Sequence, residues 1–438
     1  MSPEPNNFVQ WFRAAAPYIH SHRGRTFVLH FGGELIESEN FSHLIHDIAL
    51  LNSLGIRVVI VFGARPQIEN LLQEQKIKPR LVQGLRLTDE ATLRQVKQAV
   101  GALRIQIEAL LSMGLPNSPM AEARIKVSSG NFVTARPKGI IDGIDLEFTG
   151  SVRKVDAELI KTNLNNHEIV LISPIGYSPT GEVFNLSSLD VATQVAISLQ
   201  ADKLIFMTAG DLYRDDQSER IEILSDNEAE TMLAGKDMTD GSVYAPLSAG
   251  LQAIRKGVAR THFINHQNDG SLMQELFDRD GVGTMLTDLP FDDLRTARID
   301  DIGGILELIR PLEASGSLVR RSREKLEIEI NDYTVMIRDG AVIGCAALHI
   351  YPDDGAAELA CVVIDDAYQK SGKGKDLYLK AESDARSKGV KQLFVLTTQA
   401  THWFLEQGFV DAKVDQLPVA KKELYNFQRN SKVLIKTL

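Results

Sequence analysis

The sequence predicts an α/β protein of more than one domain, whose first and larger unit is built on a largely parallel sheet. Three observations carry this. The chain has 438 residues, too many for a single core at roughly 150 residues per domain, so two or three units are expected. From Thr26 onward, short β-rich runs alternate with helical segments, the pattern of strands joined by helical crossovers. After Arg295 the pattern restarts, giving a second unit of about 145 residues, an ordinary domain size.

Taken in order, Phe8, Trp11, Phe12, Ala15, Tyr18 and Ile19 fall close to one face of a helix over residues 6–20. That face must cover the edge of its own domain or a neighbouring subunit. The first unit continues with the strand run TFVLHFGG, a helix over 40–54, the run IRVVIVFGA, a helix over 66–75, and later HEIVLISPIG and ADKLIFMTA. Two runs end in glycine-bearing turns, Gly32-Gly33 and Gly63-Ala64-Arg65-Pro66, at the carboxyl ends of strands, where an α/β sheet presents small-molecule ligands. The unit spans 1–286, and the polar, proline-bearing stretch 287–294 reads as a linker. The second unit, 295–438, opens with RTARI and a helix over 300–314. A strand pair turning at Asp339-Gly340 follows, Asp-Gly between apolar runs being a strong hairpin signal. Then come AAELACVVID, a helix over 373–388 and the run KQLFVLTT.

Composition narrows the function classes. With 44% hydrophobic and 24% charged residues, the chain is a folded one rather than a disordered or fibrous one. Its 48 Lys plus Arg against 58 Asp plus Glu give a net charge of −10, so no global basic field points to nucleic acid or an anionic membrane. The two cysteines, Cys345 and Cys361, lie in apolar strand-like runs and fit neither a disulfide framework nor a zinc cluster, so no metal site is expected. No apolar run approaches the roughly 18 residues of a spanning helix, and the N-terminal segment lacks a signal-peptide core, so a cytoplasmic location is expected.

The most informative stretch runs from Glu358 to Lys375. A strand ends, the loop Gln369-Lys370-Ser371-Gly372-Lys373-Gly374-Lys375 turns, and a helix begins. Such a loop aims backbone N–H groups and the positive end of a helix dipole at one point, which suits a phosphate or pyrophosphate. A plain turn with solvated lysines is the competing reading. The spacing excludes a Walker A loop, and no G-x-G-x-x-G fingerprint is present in this stretch. Gln369-x-x-Gly372-x-Gly374 after this strand resembles motif A of the GCN5-related N-acetyltransferases. Leu393-Phe-Val-Leu-Thr-Thr, then Trp403-Phe404-Leu-Glu-Gln-Gly408-Phe409, resembles that superfamily's next strand and helix end. The resemblance implies an α+β domain that binds acetyl-CoA through Cys361, Val362, Val363 and the loop Gln369, Lys370, Ser371, Gly372, Lys373, Gly374 and Lys375. It also implies direct acetyl transfer from thioester to amine.

That chemistry needs a base, because an amine is mostly protonated at neutral pH. Glu358, which opens the strand running into the loop, is the first candidate, with apolar surroundings expected to raise its pKa. A solvated strand-end carboxylate is the alternative. The oxyanion of the tetrahedral intermediate needs a donor in place, and the superfamily pattern implies backbone N–H groups around Cys361 and Val362 on a splayed strand. The Cys361 thiol itself is better read as structural than as a nucleophile. Thr397 or Thr398 could serve the departing thiolate, or simply reflect strand propensity.

The whole chain resembles the bacterial two-domain N-acetylglutamate synthases, in which an amino-acid-kinase-like three-layer α/β/α sandwich precedes the acetyltransferase. The first unit is similar to acetylglutamate kinase through Val61-Phe-Gly-Ala-Arg-Pro-Gln-Ile, Ser129-Gly-Asn-Phe, Gly143-Ile-Asp, Gly150-x-Val-Arg, Ala201-Asp-Lys-Leu, Gln274-Glu-Leu-Phe and Gly281-Val-Gly-Thr. It departs from that family where ATP would be handled. His30 stands at the family's lysine, and Ala64 and Arg65 stand at its phosphate-cradling glycines. A second lysine expected near Tyr244-Ala-Pro-Leu247 is missing. Loss of those cations removes phosphoryl transfer, which leaves a regulatory unit. The resemblance implies L-arginine as its effector, held by Tyr18, Lys203, Glu275, Gly281 and Gly283. It implies L-glutamate as the acetyl acceptor, with its carboxylates held by Arg321, Arg429 and Ser431. Arg320 or Arg323 could replace Arg321 if the register slips. It further implies a homo-oligomer, a hexamer, and feedback inhibition at the first step of arginine biosynthesis. The competing readings are an ATP-dependent acetylglutamate kinase, an arginine sensor with an inert acetyltransferase unit, and an acetyltransferase for another amine.

Overall fold

The computed structural model describes residues 5–114, 120–213, 220–236, 243–288, 293–338, 340–369, 372–423 and 431–438. By contacts the chain divides into two compact units, Met1–Leu289 and Pro290–Leu438.

The first unit is organised by an eight-stranded sheet in the order Ile223–Leu224, Thr284–Leu286, Arg260–Asn265, Lys203–Thr208, Thr26–Phe31, Arg57–Phe62, Glu168–Ile172, Lys126–Ser129. All neighbours are parallel except Arg260–Asn265 with Thr284–Leu286. The central strands are apolar on both faces, as a sheet covered on both sides requires. Phe27, Leu29, Phe31, Val58, Ile60 and Phe62 pack into one core with the helices Phe41–Ser53, Glu90–Leu111 and Ser271–Phe277. Val28, Val59 and Val61 point the other way, into a core with the helices Ala157–Asn165, Ser188–Leu199 and Tyr244–Ile254. The result is a three-layer α/β/α sandwich.

The N-terminal helix runs Pro5–His22, and its apolar residues divide. Ala15 is buried and Tyr18 and Ile19 pack on the first core, whereas Phe8, Trp11 and Phe12 are exposed. The coarse sequence reading did not include the long helix Glu90–Leu111 or a separate four-stranded sheet of Val183–Asn185, Ile175–Tyr177, Val133–Pro137 and Gly150–Val155. Both ends of the stretch read as a linker, 287–294, carry ordered pairing. Thr287 N donates to Leu224 O at 3.1 Å, while Asp293 and Leu294 pair with Ile337 and Met336.

The second unit holds a seven-stranded sheet in the order Asp293–Thr296, Tyr333–Arg338, Ala341–Tyr351, Ala356–Ile364, Gln392–Thr397, Lys432–Thr437, Val410–Ala412. The predicted hairpin forms between Tyr333–Arg338 and Ala341–Tyr351, although Asp339 of its turn lies outside the described residues. Among the described strands of this sheet, only Ala356–Ile364 and Gln392–Thr397 run parallel. One face packs on the helix Lys373–Ser387 with Trp403, Phe404 and Phe409, the other on Ile302–Ala314 and Arg323–Glu329. At the edge of the core beneath the helix Lys373–Ser387, Lys436 Nζ donates to Tyr378 Oη at 2.6 Å and to Glu382 Oε2 at 2.8 Å, and Arg386 donates to Glu382 Oε1 at 2.7 Å. Tyr378 also donates to Glu382. Burial acts to raise the Glu382 carboxyl, but these donors hold it down to about 2.

Candidate active site

In the second unit the two parallel strands form a fork. Ala356, Ala357 and Glu358 pair with Gln392, Leu393 and Phe394, and among the described residues this pairing does not continue beyond Glu358. On the opposite side, the ladder passes from Ala347–Ala360 to Cys345–Val363, so Cys361 and Val362 face Ala346 alone. This is a bulge, which re-aims a strand and frees its backbone groups. Cys361 sits there with a left-handed φ of 52°, unusual for a residue with a side chain. The outcome is a strand edge opened around Cys361 and Val362.

Glu358 lies at the last paired position of the fork and is buried. Its surroundings are not the apolar ones expected from the sequence. The strand register turns its carboxylate toward Lys421, whose Nζ is 2.7 Å from Oε2, and the Tyr351 hydroxyl donates to the same oxygen at 3.5 Å. Burial, then the Glu358 charge, push Tyr351 up to about 12. Lys421 and Tyr351 were not singled out from the sequence.

Beyond the bulge the chain turns through Gln369, whose Nε2 donates to Asp366 Oδ1 at 2.6 Å. Gly372 caps the helix Lys373–Ser387 in the left-handed region, φ 81°, and as a glycine brings no side-chain cap of its own. Lys375 N and Asp376 N turn back onto Gly372 O at 2.9 and 3.3 Å, and the start of such a helix is the end whose dipole favours an anion such as a pyrophosphate. Gly374 faces Trp403 and Ile364, with room for no more than ordinary contact. Lys373 is half-buried and Lys375 exposed. Lys370, Ser371 and Arg429 lie outside the described residues.

The structure separates the three arginine candidates. Arg320 is exposed, and Arg323 pairs with Glu327 at 3.0 Å. Arg321 turns inward: its N donates to Glu313 at 2.7 Å and its Nη1 to Val319 O at 2.9 Å. Burial works against the Arg321 charge, but Cys361, Tyr333 and Cys345 outweigh it and the guanidinium stays ionised. The hydrogen bond from Cys345, together with Arg321, lowers the Cys361 thiol, whereas Cys345 is pushed up. Val363 is buried in the same core as Cys361. Thr397 Oγ1 accepts from Ala400 N at 3.0 Å, closing the turn into the helix Thr401–Glu406, which gives this hydroxyl a structural job. Thr397 pairs with Lys432, so Ser431 arrives beside the open end of the fork.

In the first unit, Lys203, Glu275, Gly281 and Gly283 come together around a residue the sequence reading missed. His262 lies between them, with Nε2 3.0 Å from Lys203 Nζ and Nδ1 2.7 Å from Glu275 Oε1. Burial, then Lys203, lower His262 to about 4. The ring is therefore neutral, accepting from Lys203 and donating to Glu275. Glu275 Oε2 accepts from Val282 N and Gly283 N at 2.8 and 2.7 Å. Burial acts to raise this carboxyl, and these donors keep it ionised. A Cβ on Gly283 would stand 2.5 Å from Phe263 O, and one on Gly281 would stand 2.6 Å from Glu275 Oε2, so the loop closes on the carboxylate only with glycines. Tyr18 is one turn from His22, which reaches Leu276 O at 2.9 Å beside Glu275. A lone histidine in an apolar strand carried no signal that could have marked His262.

At the kinase-like turns, His30 Nε2 bonds Ser188 Oγ at 3.0 Å, and burial lowers the ring to about 3, leaving it uncharged. Arg65 is turned onto Glu69 at 3.0 Å. A cavity of about 700 Å³ remains, lined in part by Arg65, Arg86, Arg136, Lys138 and Lys256. Among the described residues no group of His, Cys, Asp or Glu could hold a metal ion, and no helix is long and apolar enough to cross a membrane.

Residues 25–265 match the amino acid kinase family and residues 305–409 the GNAT acetyltransferase family. Amino-acid acetyltransferases from Ralstonia nicotianae and Yersinia pseudotuberculosis are each 48% identical over the whole of this chain, covering 97% and 100% of their own lengths. N-acetylglutamate synthase from Neisseria gonorrhoeae complexed with coenzyme A and L-arginine is similar at 38% identity, covering 98% of this chain and 99% of that one, with a TM-score of 0.88. The same enzyme complexed with coenzyme A and N-acetyl-glutamate is similar with a TM-score of 0.62.

Proposed function

This chain belongs to the amino-acid acetyltransferase family, and from that premise we propose that it transfers the acetyl group of acetyl-CoA to the α-amine of L-glutamate. The products are N-acetyl-L-glutamate and CoA, the first step of arginine biosynthesis, and L-arginine bound to the first unit inhibits it. The observation that carries the reading is the fork, with a buried carboxylate at its base, a bulged strand beyond it and a glycine-led helix N-terminus following it in the chain.

The α-ammonium of glutamate gives a proton to Glu358, and the freed nitrogen pair attacks the thioester carbon. As the C–N bond forms, the carbonyl pair moves onto oxygen, where the N–H groups of Cys361 and Val362 receive it. When that pair returns, the C–S bond breaks. The sulfur leaves with a proton equal to the one the nitrogen then sheds, so the proton on Glu358 is the net one released. The loop from Gln369 to Lys375 and the first turn after Gly372 hold the pyrophosphate. Arg321, Arg429 and Ser431 hold the two substrate carboxylates, for which guanidinium groups are suited. Thr397 is the weaker choice for assisting the departing sulfur.

Arginine carries both an α-carboxylate and a guanidinium, and the cluster of Lys203, Glu275, Gly281, Gly283 and Tyr18 offers groups of both signs. Exposed Phe8, Trp11 and Phe12 on the N-terminal helix support a homo-oligomer, which we take to be a hexamer, working in the cytoplasm. The test is CoA release with glutamate, other amino acids and polyamines, with and without arginine. Glutamate should be preferred and arginine should slow it; equal rates with polyamines would overturn the assignment. ATP turnover should be absent.

A further inference from the structure

We propose that Lys421 is a positioning residue for the base, anchoring Glu358 through one carboxylate oxygen so that the other is presented to the substrate ammonium. This rests on the reading of Glu358 as the base. The two oxygens of Glu358 are treated differently. Oε2 meets Lys421 Nζ at 2.7 Å and the Tyr351 hydroxyl at 3.5 Å, while Oε1 makes no hydrogen bond among the described residues. A base anchored at one oxygen keeps its other lone pairs aimed in one direction, the near-attack geometry that proton abstraction requires.

The ion pair also answers an electrostatic problem. The Glu358 side chain is 8% exposed and that of Lys421 20%, and burial of this depth favours the neutral acid unless a cation lies against it. The other charged groups around the carboxylate are already engaged. His349, its cross-strand neighbour, faces Asp332 at 3.4 Å, and Glu329, whose charge reaches Tyr351, faces Lys325 at 3.7 Å. Lys421 is thus the cation that meets Glu358 directly among the described residues. It comes from the four-residue helix Val419–Lys422, which leads toward the C-terminal segment containing Arg429 and Ser431. The same segment that carries proposed carboxylate ligands therefore also sets the base.

The experiment is the pH dependence of kcat between about 5.5 and 9.5 for the full-length enzyme and its K421M, K421Q, K421R and E358Q variants, with both substrates saturating. Removing the cation disfavours the carboxylate, so the acid limb of K421M and K421Q should move up by about one pH unit or more. The rate should then fall roughly tenfold on the acid side and approach wild type on the alkaline plateau. K421R should restore the limb. E358Q should lose about 100-fold or more at every pH. An unmoved acid limb in K421M and K421Q overturns the inference, as does a uniform loss at every pH. A raised KM for glutamate with an unmoved limb also overturns it, by making Lys421 a substrate ligand. E358Q at the wild-type rate would instead remove the reading of the base itself.

Discussion

Glu275→Gln tests whether the cluster around His262 is a closed hydrogen-bond system. The carboxylate takes three donors, His262 Nδ1 at 2.7 Å and the backbone N–H groups of Val282 and Gly283 at 2.8 and 2.7 Å, with both side chains nearly sealed from solvent. A glutamine of the same shape offers one acceptor oxygen and one NH₂. Turned either way, its NH₂ meets a donor. The His262 tautomer cannot relieve this, because moving its proton to Nε2 sets that proton against Lys203 Nζ at 3.0 Å. One buried donor is left unpaired and charge-assisted bonds are lost, together about 3 kcal/mol. For a unit of this size that corresponds to a fall of about 6 °C in its melting temperature. Scanning calorimetry with and without arginine measures both consequences, since arginine stabilisation should disappear with the cluster. A melting temperature within about 1 °C of wild type would refute the closed-cluster reasoning; loss of the arginine response alone would make Glu275 a direct ligand instead.

Because His30 and His262 are held neutral at about 3 and about 4 against 6.5, the unfolded chain binds protons that the folded one does not, and stability should fall as pH drops below 6.5. The slope is at most about 2.7 kcal/mol per pH unit between about 6 and 4, and urea titrations should show it diminished in a His30→Asn, His262→Asn pair. Glu382 works at lower pH. Its stabilisation is complete above about 4.5 and lost as pH falls toward about 2, so Glu382→Gln should cost about 1–2 kcal/mol at neutral pH and converge on wild type in acid. Gly372→Val, imposing a branched side chain at φ 81°, should raise KM for acetyl-CoA at least several-fold in steady-state kinetics, with little change in KM for glutamate.

The α/β order of the first unit was legible because a sheet covered on both faces must be written in continuous apolar runs, as Arg57–Phe62 and Lys203–Thr208 are. The loop at Gly372 was legible because its backbone conformation demands glycine before a helix. Short strands such as Ile175–Tyr177 and Val183–Asn185 carry too few residues for a period to register. The Lys421–Glu358 pair joins residues far apart in sequence, and nothing local in the chain marks a lysine as the partner of a distant carboxylate. His262 was hidden differently: only the fold brings Lys203 and Glu275 to its two nitrogens.

The left-handed turn of Cys361 has a consequence for how this enzyme can be improved or drift. Holding a side-chain-bearing residue at φ 52° costs about 1–2 kcal/mol, a standing load carried by the rest of the second unit. A glycine at this position would release that load but would also empty the buried Cys361 side chain from its core and loosen the unfolded chain, so the two effects oppose each other in the stability balance. The same release would let the bulge wander between conformers, and the amides of Cys361 and Val362 would no longer point one way. Cys361→Gly should therefore give a slower enzyme whatever its net effect on heat resistance, and evolution under selection for turnover should keep the strain.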